Sequence, residues 1–120
     1  MGVYVGGNIT MGTRGGPPRV TRYNGIGPIS VTTGTARWYP ETDGKITGGY
    51  FSLGIAGAAT TTVSIKKNGT EIFTLSAAAG ENLSNTVNAN IPILTTDYIT
   101  VDITAAGSGA ADLVLTIKYQ

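Results

Sequence analysis

The chain has 120 residues, eight Lys or Arg against seven Asp or Glu, and neither cysteine nor histidine. Charged residues make up 12% of it, about half the ~25% usual for globular domains. No disulfide framework, thiol chemistry or Cys-ligated metal is therefore open to it, and the commonest general base and metal ligand is missing. A structural or binding protein is expected rather than an enzyme, with no cofactor and no catalytic or metal site. No apolar run approaches 18 residues, so no membrane span is expected, and the N-terminus lacks the basic-then-apolar pattern of a signal peptide. Eighteen glycines suit tight turns and frequent threonines suit pleated strands, which points to an all-β chain.

Charge and texture divide the chain. Residues 1–37 hold Arg14, Arg19, Arg22 and Arg37 and no acid, whereas residues 38–120 hold four Lys and all seven acids. Residues 1–28 contain eight Gly and three Pro without a sustained period. Such a segment buries too little apolar surface to offset its own ordering entropy. Yet Val3, Tyr4, Val5, Ile9, Val20, Tyr23 and Ile26 are too apolar for a plain solvated linker. The expectation is an extended N-terminal arm over residues 1–33, ordered against a neighbouring subunit or a larger assembly, followed by a β-sandwich domain over residues 34–120.

Strand signals become regular from residue 29 onward. Short β-type runs cover 28–33 and 35–39, and Asp43-Gly44 marks a polar turn. A strand is expected over 45–53, with Gly48-Gly49 marking a bulge or a close backbone approach. Residues 60–67 alternate, Val63 and Ile65 on one face and Thr62, Ser64 and Lys66 on the other. Asn68-Gly69 is the two-residue hairpin signal, and 70–76 is the returning strand. Residues 81–90 are expected as a strand with Leu83, Val87 and Ala89 on one side. Residues 97–104 and 112–119 alternate in the same way, the latter with Leu113, Leu115, Ile117 and Tyr119 on one face. Seven or eight strands about ten residues apart predict an antiparallel sandwich of jelly-roll type.

The acids fall mostly in turns or opposite the apolar rows, where local hydrogen bonding accounts for them better than glycoside hydrolysis does. Glu41-Thr-Asp43 lacks the ligand ladder of a calcium loop, and no glycine-rich segment precedes a helix that would hold phosphate. Four dilute arginines before an acidic domain suit an acidic protein partner, not nucleic acid. Arg14, Arg19, Arg22 and Tyr23 are thus candidates for docking on another subunit or a larger assembly. Arg37, Trp38 and Tyr39 are candidates for an interface or core anchor.

Several strings, in order, resemble a domain recurrent in virion proteins of tailed bacteriophages. They are Gly34-Thr-Ala-Arg-Trp-Tyr-Pro40, Asp43-Gly-Lys-Ile-Thr-Gly48, Ser64-Ile-Lys-Lys-Asn-Gly-Thr70 with Ile72-Phe73, Asp97-Tyr-Ile-Thr-Val-Asp102 and Leu113-Val-Leu-Thr-Ile-Lys-Tyr119. The resemblance spans about residues 34–119 and implies a jelly-roll sandwich, found in small virion proteins and at the ends of tail fibres. It implies no catalytic residues. The initial Met some 33 residues upstream suits a small add-on part, so the expectation is a capsid decoration protein on the outer surface of the virion. Its implied partners are the major capsid protein or another virion protein, and two further copies in a homotrimer. The alternative is a tail or fibre module that binds a receptor or host-surface glycan through the Gly/Ala/Ser loops.

Overall fold

The computed structural model describes residues 18–34 and 36–120, in which every regular element is a strand. The strands are β1 (Arg19–Pro28), β2 (Arg37–Trp38), β3 (Gly44–Ile55), β4 (Thr61–Lys67), β5 (Thr70–Ala77), β6 (Val87–Ile93), β7 (Ile99–Ala105) and β8 (Ala111–Tyr119). They form two four-stranded antiparallel sheets, in the orders β1-β8-β3-β6 and β2-β7-β4-β5. Facing each other, the two sheets make a β-sandwich.

Period-2 alternation decides which side chains meet between the sheets. Phe51, Leu53, Leu113, Leu115 and Ile117 enter from the first sheet, and Val63, Ile65, Leu75, Val101 and Ile103 from the second. Phe51 and Leu115 are direct neighbours across β3 and β8, and Val63 and Leu75 across β4 and β5. The register of β3 shifts between Ile46 and Gly48, at the site of the expected bulge. Gly48 has φ 140°, and a Cβ there would collide with the Val87 carbonyl oxygen, so the bulge requires glycine.

Two expectations are corrected. The boundary at residues 33 and 34 does not separate an arm from the sandwich. Residues 19–25 pair continuously with β8, from Arg19 opposite Tyr119 to Gly25 opposite Leu113, so this stretch is an edge strand of the first sheet. Beyond it, Thr32 bridges to Ile103 and the Gly34 amide donates to the Asp102 carboxylate at 2.7 Å. Residues 1–17, the rest of the expected arm, lie outside the described residues. The strand expected over 81–90 instead covers Val87–Ile93, and Leu83 is exposed in the preceding loop. That loop is held by side chains: Ser84 Oγ accepts from the Phe51 amide at 2.8 Å, and Asn82 donates to the Leu53 carbonyl at 2.8 Å.

Because Leu115 is fully buried between the sheets, Leu115→Ala is expected to lower unfolding free energy by about 2–5 kcal/mol. Val20→Ala, on the outer face of β1, should change it by about 0.5 kcal/mol or less. Denaturant titration measures both.

Candidate docking surface

One end of the sandwich brings together Trp38, Tyr39, Tyr98 and Tyr119 with Arg19 and Arg37. There β1 begins opposite the last residues of β8, Lys45 and Gln120 exchange backbone hydrogen bonds at 2.9 Å, and β2 and β4 both pair with Ile99. The Arg19 guanidinium lies over the Tyr119 ring, 5.7 Å from its centroid. Tyr119 in turn packs on Trp38, with centroids 4.9 Å apart and planes tilted by 57°. This stack of cation and two rings joins the first sheet to the second.

A second cluster lies on the outer side. The Arg37 guanidinium sits 4.2 Å from the centroid of Tyr98, and its Nη1 donates to the Tyr39 hydroxyl at 3.4 Å. Tyr39 and Tyr98 centroids are 6.1 Å apart, and Tyr39 stays 51% exposed. The hydrogen bond to Tyr39 and the phenol oxygens nearby push the Arg37 pKa above its ordinary value.

The β4–β5 turn is locked onto this cluster. Asn68 takes the left-handed φ of 53° and Gly69 one of 88°, the pattern that a two-residue hairpin turn demands. Asn68 Nδ2 donates to Asp97 at 2.8 Å, and its Oδ1 accepts from the Tyr98 amide at 3.0 Å. Asp97 also accepts from the Leu94 amide at 2.8 Å and lies 3.7 Å from Lys67 Nζ. These bonds, Asn68 first and the Leu94 amide next, hold the Asp97 carboxyl below its ordinary pKa.

The candidate residues therefore separate by position. Arg14 lies outside the described residues. Arg19 and Tyr23 are half-buried on the inner side of β1, Tyr23 packing against the core, whereas Arg22 is exposed on the outer face. Trp38 packs against the core, and Arg37 and Tyr39 face solvent. Tyr98, Tyr119, Asn68 and Asp97 complete this end and were not named as docking candidates from the sequence. Their signal was present in the Lys-Asn-Gly-Thr, Asp-Tyr-Ile and Ile-Lys-Tyr strings, which the topology brings together.

The opposite end is built from small residues that satisfy one another. Ala58 N donates to Ser108 O at 2.8 Å, Gly80 N to Gly57 O at 2.9 Å, and Gly107 N to Thr61 Oγ1 at 3.0 Å. Carboxylates elsewhere hold backbone and side chains in place. Asp112 accepts from the Gly27 amide at 2.8 Å, Asp43 from the Thr95 amide at 2.9 Å, and Glu71 from the Ser64 hydroxyl at 2.7 Å. Asp102 is 5% exposed and accepts from Lys66 at 2.7 Å as well as from the Gly34 amide. Among the described residues, no three His, Cys, Asp or Glu group as metal ligands, and no helix is long and apolar enough to cross a membrane. A cleft of about 160 Å³ beside β1, lined by Tyr23, Gly25, Ile29 and Ile103, is smaller than the ~300 Å³ at which small-molecule pockets begin. The arrangement offers surfaces and edges for binding. Compared with known proteins, the chain matches no family model and no curated protein sequence.

Asp102 is held below its ordinary pKa by Lys66 first and the Gly34 amide next. With Asp97 shifted the same way, the stabilisation is fully present above the unfolded carboxyl value near 3.9 and is lost as pH falls through the lowered folded values. Thermal unfolding should therefore show a drop in midpoint below about pH 4, and Asp102→Asn should make that drop smaller. Asn68→Gly keeps the turn conformation but removes both side-chain bonds, so its midpoint should fall by a few degrees at neutral pH, as calorimetry would record.

Proposed function

We propose that this chain is a non-enzymatic structural protein of a tailed-bacteriophage virion, a jelly-roll decoration protein attached to the outer surface of the head. The observation that carries the reading is the strand order. The eight strands fall into two sheets, β1-β8-β3-β6 facing β2-β7-β4-β5, with β4 and β5 a hairpin in the second, and this order supports a jelly-roll reading. Double-sheet jelly rolls of this kind serve in viral capsids and in lectins. The strings that resemble phage virion domains support the same reading, because they converge in space. Trp38, Tyr98, Tyr119 and the Asn68 turn all belong to one end of the sandwich.

Arg19, near the start of the described chain, lies at that same end over Tyr119. We assign attachment to this end and to residues 1–17, with the major capsid protein or another virion protein as partner. The lectin branch of the jelly rolls gives the second reading, a glycan-binding tail module, and the exposed Tyr39 ring is the feature that favours it. The two readings part on location.

Immunogold labelling of intact particles with antibody to this chain should decorate heads. Labelling confined to the tail would replace the decoration reading with the tail module. On undecorated heads, the chain lacking residues 1–17 should lose nearly all attachment, and Tyr39→Ala should weaken it severalfold. Unchanged binding by both variants would place docking elsewhere on the sandwich.

A further inference from the structure

We infer that the outer edge of β1 is a self-association site, at which the β1 strands of two copies pair antiparallel about a two-fold axis through Tyr23. The inference goes beyond the virion reading and does not rest on it. Among the described residues β1 pairs with β8 alone, so one side of a ten-residue strand presents unpaired amide and carbonyl groups. Such an edge is a template for another strand.

The other three sheet edges are blunted. β2 has two residues, and β6 carries Pro92, which has no amide hydrogen. The end of β5 is covered by Asn85, whose side chain accepts from the Ser76 amide at 2.9 Å and whose amide donates to the Ser76 carbonyl at 3.1 Å. β1 has no lysine, and its prolines lie only at or beyond its ends, at Pro18 and Pro28.

The side chains specify a second copy and a register. The outer face of β1 carries Val20, Arg22, Asn24 and Ile26, and Val20 and Ile26 are 44% and 92% exposed. Centring a two-fold axis on Arg22 would set two guanidinium groups directly opposite each other, which is unfavourable. Centring it on Tyr23 sets Arg22 against Asn24 of the second copy and Val20 against Ile26. Each exposed apolar side chain then meets another, and no like charges face. The strand is thus complementary to itself, as a two-fold contact requires. Residues 19–25 pair regularly with β8 across the centre of this contact, and the register shift between Gly25 and Pro28 falls at its end, beside Ile26.

Because Asn24 is exposed and opposite Arg22 twice per dimer, its charge tests the register. Sedimentation equilibrium of the full chain should show a dimer at micromolar concentration. Asn24→Asp should tighten it and Asn24→Arg should weaken it, each by about tenfold through the two symmetric pairs. Val20→Lys combined with Ile26→Lys should also weaken it, with circular dichroism showing each variant folded. A monomer at all concentrations overturns the inference, as does a dimer or trimer indifferent to both Asn24 variants. Removal of residues 1–17 turning a monomer into a dimer also overturns it, because this chain's own segment would then occupy the edge.

Discussion

Pairing of β8 with β1 on one side and β3 on the other joins the two ends of the described chain to its middle. Leu113, Leu115 and Ile117 project from β8 into the space between the sheets, and each has a partner on both flanking strands. Without β8, β1 would lose its one strand neighbour among the described residues, and Phe51 and Leu53 would lose the side chains beside them. The contact is also the most non-local in the fold, since β1 and β8 lie almost a chain length apart. Closing so long a loop is the entropic cost of this order of strands.

The same pairing builds the candidate docking end. Because β1 starts where β8 finishes, Arg19 is set over Tyr119, and Tyr119 reaches Trp38 in the other sheet. Because β7 lies between β2 and β4, Tyr98 at its start meets Arg37 from one side and the Asn68 turn from the other. Charge and aromatic surface are concentrated here by topology. The small-residue loops at the far end spend their amides and carbonyls on one another. That asymmetry favours docking through the aromatic end.

Strands with apolar rows facing inward were legible in the sequence, and the hairpin at Asn68-Gly69 was too, because burial and turn geometry leave direct marks on residue choice. β1 was not legible. Its inward positions are Arg19, Thr21, Tyr23, Gly25 and Gly27, with a single large apolar side chain, while Val20 and Ile26 point outward. Alternation is present but carries the wrong polarity, since the strand is held by backbone pairing with β8, by Tyr23 and by the Asp112 bond to Gly27. Leu83 misled in the opposite sense, its alternation with Val87 continuing a strand that Ser84 and Asn82 in fact hold as a loop. At the candidate site, Arg37, Trp38 and Tyr39 stood out as a run. Tyr98 and Tyr119 did not, because only the sheet order brings them to that run.

The proposed function turns on which end of the sandwich meets a larger surface, and hydrogen exchange on the full chain, free and bound to undecorated phage heads, tests that proposal most directly. The account predicts slowed exchange on binding in the segments around residues 39–43, 68–69 and 94–98, with residues 56–60, 78–82 and 106–110 unchanged. Slowing confined to the small-residue loops of the far end would contradict it.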